Sequence, residues 1–305
     1  MVSESGCDLV YHYTSIEGFK GILQCNFIRA TDYRYLNDAS ELRLGAAALG
    51  AALRTAASQV RPLPREPEDL ANYDDPDYRR EILENAAAAV DVRSSPQAGP
   101  YIACFSEDGD LLGQWRGYKA SYSIGFDRKE LESLAALPTD NYAGHQPARL
   151  HFAKVRYGEE WIPEMVERTV GTVAPPPIPG MARGRQFEGL AVAIAGLASI
   201  KHRGFADERE WRAIASGGLA PSHSGTFSRG SEVVPYAKLQ FESPDIADGT
   251  ASGNTSALTR VLKRVIVKPG DVQEQERLLA EARSVLQGLS LNDVEVTTSC
   301  IPFRE

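Results

Sequence analysis

Cysteine is scarce in this 305-residue chain: the four, Cys7, Cys25, Cys104 and Cys300, form no CxxC pair. That spacing argues against a zinc site, and Cys25 and Cys104, set in apolar surroundings, read as buried free thiols of a reducing compartment. Long apolar runs are missing too. The longest, Leu190 to Ile200, falls short of the roughly 18–20 residues that cross a bilayer and leads into Lys201-His202-Arg203. The start, Met1-Val2-Ser3-Glu4-Ser5-Gly6-Cys7-Asp8, lacks the basic head and apolar stretch of a signal peptide, so a cytoplasmic protein without membrane contact is expected. No GxGxxG follows a strand-like run and there is no P-loop, which argues against a Rossmann or P-loop nucleotide site. Positive charge is in deficit. With 33 Lys and Arg against 41 Asp and Glu, the net charge of −8 argues against tight non-specific binding to a nucleic acid backbone.

What is present is an ordinary globular balance, 43% hydrophobic and 24% charged, with no internal repeat. Periodicity predicts strands at residues 8–14, 27–30, 101–106, 121–126, 150–155, 208–215, 261–267 and 294–299. Helices are expected from Ser15 as N-cap, with Phe19, Ile22 and Leu23 on the buried face, and at 38–53, 77–90, 111–118, 159–170, 187–202 and 271–286. Strands and helices do not alternate strictly, so the expected fold is α+β: a single domain of mostly antiparallel short strands with helices packed around them. The proline-broken stretch at about 61–100 reads as a polar helical surface insertion, with too few large apolar residues for its own core, and 172–186, 216–232 and 242–256 read as mobile loops.

Three polar clusters interrupt the strand-like runs: Tyr11-His12-Tyr13-Thr14-Ser15, Cys104-Phe105-Ser106-Glu107 leading to Gln114-Trp115-Arg116-Gly117-Tyr118, and Asp207-Glu208-Arg209-Glu210-Trp211-Arg212. Half-buried polar groups cost about 1–3 kcal/mol each unless partnered, which suggests that the clusters meet at one site. Strand alternation puts Glu208, Glu210 and Arg212 on one face. Two carboxylates there can divide the work of stabilising an oxocarbenium-like centre and orienting a nucleophile; the alternative is an edge strand with surface ion pairs. His12 and Thr14 share a face and suit a ribose or an amide, or serve as structural hydrogen-bonding residues. Leu111, Leu112, Trp115 and Tyr118 fit a core stripe, whereas Arg116 suits a phosphate or carboxylate, or pairs with Glu210 or Glu41. Tyr33 and Tyr35 precede a helix start capped by Asp38, a place that can stack a ring.

Taken together, these clusters resemble the bacterial domain-of-unknown-function family 2971. The resemblance rests on Tyr11 to Ser15, Tyr35-Leu36-Asn37-Asp38 with Glu41, Cys104 to Glu107, Gln114 to Tyr118, Glu208-x-Glu210-Trp211-Arg212 and the terminal Ile301-Pro302-Phe303-Arg304, and it runs in order over nearly the whole chain. More distantly the arrangement is similar to the His-Tyr-Glu branch of the ADP-ribosyltransferase superfamily. That similarity implies NAD as substrate and no metal. It implies His12, Tyr13 and Thr14 at the nicotinamide-side ribose and amide, Tyr33 or Tyr35 stacked on the nicotinamide, and Glu210, or Glu208, at the ribose hydroxyl. Ser106 or Tyr122 would fill the middle-strand position, with Arg116 on the dinucleotide. It further implies ADP-ribose transfer to a protein or nucleic-acid acceptor, or NAD hydrolysis, as a toxin or phage-defence effector. Other readings are an inactive ligand- or partner-binding domain, a Cys-His hydrolase built on Cys104 and His12 with Asn37, and a metal-dependent nuclease using Glu208, Glu210 and Lys201.

Overall fold

A computed structural model describes residues 8–36, 39–60, 76–90, 100–136, 149–173, 195–216, 224–241 and 253–302. Strand β1 (Leu9–Thr14) runs into Ser15, whose hydroxyl accepts from the Gly18 N–H at 3.1 Å and caps α1 (Ile16–Cys25). Phe19, Ile22 and Leu23 are its buried residues, as their spacing of three and one predicts. Asn26 closes the helix in the left-handed conformation, φ 58°, and its amide donates to Phe241 O at 2.7 Å. After β2 (Phe27–Asp32) and a single-turn 3-10 helix (Tyr33–Tyr35) come α2 (Ala39–Gln59) and α3 (Pro76–Val90). The middle of the chain supplies β3 (Tyr101–Ser106), α4 (Leu112–Gly117), β4 (Tyr122–Asp127), α5 (Arg128–Leu134) and β5 (Ala135–Ala136). Next are β6 (Arg149–Lys154), β7 (Arg156–Tyr157), α6 (Trp161–Val173), β8 (Ile200–Lys201) and β9 (Glu210–Ser216). The hairpin β10 (Ser224–Arg229) and β11 (Glu232–Phe241) precedes α7 (Gly253–Val261), β12 (Leu262–Val267), α8 (Val272–Gly288) and β13 (Glu295–Thr298).

Among the described residues eleven strands join in one sheet with β3 as its axis. On one side β9 pairs with β3 from Tyr101↔Ala215 to Ser106↔Glu210, and β6 follows beyond β9. On the other side β3 is shared: β2 takes Tyr101 and Ile102, while β1 meets it through Tyr11↔Ser106. The sheet therefore forks there into a β2-β11-β10 branch and a β1-β4-β12-β13 branch. Among the described residues its pairings are antiparallel apart from β12 with β13. The mixed α+β architecture with a mostly antiparallel sheet is as expected.

Paired residues in an antiparallel ladder point to the same face. One face carries Val10, Phe105, Ile124, Phe126 and Ala213, covered by Phe19, Leu131, Leu258, Leu278 and Leu286 of the flanking helices. The opposite face holds two separate apolar clusters. Ile102 and Ile214 pack under Leu49, Leu53, Leu83, Ala87 and Met165, whereas Tyr11, Tyr13 and Ile266 pack under Trp115 and Ala120. Between these two clusters runs a polar seam: Cys104, Ser106, Glu210 and Arg212.

Several expectations are corrected. α3 is no surface appendage, because Leu83, Ala86, Ala87 and Val90 are buried against α2. Cys25 is an exposed free thiol at the end of α1. The stretch 216–232 includes β10, and the ten-residue β11 behind it was not anticipated. The helix expected at 187–202 gives way, within its described part, to one helical turn at 195–197 and then β8, which carries Lys201.

Candidate functional site

Glu210 opens β9 and is 2% exposed. Arg212 donates to it from Nε at 2.9 Å, to Oε1, and from Nη2 at 3.3 Å, to Oε2, and Lys201 Nζ donates to the same Oε2 at 2.9 Å. Lys201 also reaches Glu208 at 2.6 Å, and Arg212 Nη1 donates to Ala198 O at 2.7 Å. Two cations and two carboxylates thus neutralise one another, and every charge buried here has a partner. Burial pushes the Glu210 pKa up, but the Arg212 and Lys201 charges outweigh it and hold the carboxyl below its ordinary range, so Glu210 is ionised. The Glu210 N–H donates to Tyr157 Oη at 2.7 Å; burial first, then the neighbouring carboxylates, push that phenol up to about 12.

Glu208 is not on β9. It ends a 3-10 helix (Arg203–Glu208), and Arg209 follows in the left-handed conformation, φ 44°. This reversal, costly for a residue with a Cβ, swings the Glu208 carboxylate around onto Lys201. The expected strand ladder Glu208, Glu210, Arg212 is therefore replaced by a turn and a strand that converge on one ammonium group. Ser106 fastens this turn to β3: its hydroxyl donates to Glu208 O at 2.8 Å and accepts from the Asp108 N–H at 3.1 Å.

Tyr11, Tyr13, Cys104, Ser106, Gln114, Tyr118 and Glu210 surround a small cavity of about 10 Å³. Gln114 is 6% exposed and lines the cavity beside Glu210. Tyr118 is 49% exposed at the rim, yet its hydroxyl end responds to Cys104 first, then to burial and to Glu210 and Glu208, which raise its pKa well above the ordinary value. Burial, reinforced by Glu210, keeps Cys104 a neutral thiol. The Tyr13 hydroxyl accepts from Leu111 N–H at 2.9 Å and donates to Asp108 O at 2.8 Å, so it holds the turn that positions α4. Gly109 in that turn has no room for a side chain: a Cβ there would come within 2.4 Å of the Tyr11 ring.

His12 is elsewhere. Because Tyr11 faces Ser106 and Ser106 faces Glu210, alternation turns His12 to the other side of the sheet, 5.6 Å from the Phe105 ring. Its Nδ1 lies 2.9 Å from Cys104 O; a carbonyl only accepts, so Nδ1 carries the proton. Burial lowers the His12 pKa and the ring is neutral. The expected convergence of His12 with Glu208 and Glu210 does not occur. A Cys-His dyad is likewise excluded, since the Cys104 thiol and the His12 ring lie on opposite faces, and Asn37 lies outside the described residues.

Thr14 follows His12 to the far face, over Gly18 of α1. Tyr33 is 1% exposed in the core beneath α2, so its ring is not free to stack on a ligand. Tyr35 is half-buried, and its carbonyl accepts from Arg229 at 3.0 Å. Arg116 is exposed on α4, and Glu210 has Arg212 and Lys201 in its place. Tyr122 is fully buried and donates to Leu278 O at 3.0 Å, whereas Ser106 does stand beside Glu210. Of the expected site, Glu210, Glu208, Tyr13 and Ser106 come together. Tyr11, Gln114, Tyr118, Tyr157 and Lys201 were not assigned to it. Tyr11 follows from strand parity once the pairing of β1 with β3 is known, and Lys201, the first residue of Lys201-His202-Arg203, was grouped with Glu208 and Glu210 only in the nuclease reading.

Among the described residues no helix is long and apolar enough to cross a membrane, and no three His, Cys, Asp or Glu side chains are grouped to hold a metal ion. No protein-family model, no curated protein and no solved structure matches the chain. The class defined by fold and site is thus a mixed α+β domain with a buried, charge-neutral cluster at the fork of its sheet.

Proposed function

We propose that this protein cleaves the nicotinamide–ribose bond of NAD and passes ADP-ribose to a macromolecule or to water. The observation that carries the reading is Glu210, a carboxylate held ionised at the floor of a tyrosine-lined pocket. Loss of nicotinamide leaves a ribosyl cation, and the leaving group departs neutral, so no general acid is needed. A fixed negative charge near that cation lowers the barrier without reorganisation. Glu210 is the carboxylate that borders the pocket; Arg212 and Lys201 orient it and balance its charge, and Glu208 bears on it through Lys201. Gln114, Ser106 and the Tyr11 and Tyr118 rings are the groups available to position the substrate. His12 contributes from behind the sheet as a structural donor. For hydrolysis the balance is NAD⁺ and water giving ADP-ribose, nicotinamide and a proton.

A second reading is a recognition domain that retains the same residues without turnover. It is favoured by the size of the cavity, which holds about one water, and by the engagement of both Glu210 oxygens. NAD labelled in the nicotinamide, with and without cell lysate, separates the two. Wild-type protein is expected to release nicotinamide, and Glu208→Gln and Tyr118→Phe to lose about tenfold or more of that rate with unchanged thermal unfolding. Binding of NAD with no release by the wild type would establish the recognition domain instead.

A further inference from the structure

The Glu210 pocket holds about one water, so a substrate enters only if part of its wall moves. The wall least able to stand alone is α4, which brings Gln114 and Tyr118 to the pocket. It has six residues, too few to persist unaided, and no side-chain cap at its start. It is attached to the sheet through Trp115 and Ala120, in the smallest of the apolar clusters described above. Segments held by so few buried contacts are the ones that open first.

Much of what fastens α4 comes from the segment after β13. Asp110, in the turn before α4, uses Oδ1 to accept from Trp115 Nε1 at 2.9 Å and from Ser299 Oγ at 2.6 Å, and Oδ2 to accept from the Cys300 N–H at 2.7 Å. The Ser299 hydroxyl in turn accepts from the Ile301 N–H at 3.0 Å, and the Ile301 side chain packs against the cluster that holds Trp115. The Ser299 N–H donates to Val267 O at 2.8 Å, which ties the segment to the sheet independently of α4. Hydrogen bonds to an ionised group are the stronger kind, and three of them meet on this one half-buried carboxylate.

We propose that Ser299, Cys300 and Ile301 form a latch that acts through Asp110 and Trp115, keeps α4 closed over Glu210, and opens the pocket when it is released. The latch rests on the NAD-cleaving reading only for its effect on turnover, because its opening is measured without substrate. The open state is the one competent to bind, so apparent affinity follows its population. Alkylation of the full chain by iodoacetamide, followed by mass spectrometry, tests the latch. Cys104 lines the pocket and reports opening, while Cys25, exposed on α1, is the internal standard. Ser299→Ala with Ile301→Ala should speed Cys104 relative to Cys25 by about tenfold or more, and Ser299→Ala alone, the milder change, by several-fold. Hydrogen exchange of the double variant should quicken in the amides of α4 and stay unchanged in β3 and β4. With a wild type that releases nicotinamide, the KM for NAD should fall several-fold in the double variant without a rise in kcat, whereas a merely damaged site raises KM. Unchanged Cys104 alkylation in the folded variants, a raised KM, or exchange that quickens equally in β3 and β4 would overturn the proposal. A wild type that releases no nicotinamide removes the reaction above and leaves alkylation and exchange to decide the latch.

Discussion

Glu210 brings a negative charge into the sheet interior, where it persists only because Arg212 and Lys201 close on it. Removing one member of such a cluster leaves the others buried and unpaired. Glu210→Gln is therefore expected to cost about 3–5 kcal/mol of stability, read as a lower urea midpoint, and by itself it confounds any test of catalysis. Glu208 is 26% exposed at its side chain and leaves Lys201 still paired to Glu210. Glu208→Gln should cost only about 1 kcal/mol or less, which makes it the cleaner probe of chemistry. The His12 ring gives a second test by pH. Its pKa in the fold lies below the ordinary 6.5, so the native protein binds fewer protons there than the unfolded chain. Stability from this group is complete above 6.5 and declines as the pH falls toward the folded value. His12→Asn keeps a donor for Cys104 O and removes the titration. Its urea midpoint should fall less than that of wild type between about pH 7 and about pH 5, and a steeper fall in the variant would rule out this source of acid sensitivity.

At the scale of elements, the turn after β3 and the helix α3 show how local spacing becomes packing. Gly109 lies against Tyr11 and Ile266, with 2.4 Å and 2.8 Å left for an added Cβ, so Gly109→Ala must move the Tyr11 ring that lines the Glu210 pocket. Overpacking of this kind costs about 1–3 kcal/mol, and a thermal melt of the variant reads it. In α3 the buried residues Leu83, Ala86, Ala87 and Val90 follow a helical stripe. The stripe was visible in the sequence, but two of its four members are alanines, which add little apolar area, and the prolines before it suggested an isolated excursion. Only the packing against Leu49, Leu53 and Ala57 shows that small residues were needed for close helix approach. Leu83→Ala is expected to cost about 2–4 kcal/mol in chemical denaturation, whereas a surface helix would lose less than about 0.5 kcal/mol.

Across the whole molecule, what was legible was local and what was missed depended on partners distant in sequence. β3, β4, β12 and α8 follow from their own periodicity and caps. β11 holds Pro235, which lacks an N–H; it pairs with Thr226 of β10 and sits one residue beyond Tyr236↔Thr31, where the described pairing with β2 begins. The site failed to assemble as read for a similar reason: strand parity put Tyr11, not His12, on the Glu210 face, and parity has no absolute sign until the pairing is known. The same long-range pairing separates the apolar clusters on the two faces of the sheet, of which two are large. One apolar cluster ties the sheet to α1, α5, α7 and α8, and another ties its opposite face to α2, α3 and α6. The second layer joins the sheet through fewer large side chains, Ile102 and Ile214 among them, and its members are separated in sequence. It should open as a unit before the sheet does. Hydrogen exchange read by mass spectrometry is expected to show the slowest amides in β1, β3 and β4, with α2, α3 and α6 exchanging together and earlier. Leu83→Ala should speed exchange in those three helices and leave β1 and β4 unchanged, whereas acceleration everywhere would mean that the two layers form one cooperative unit.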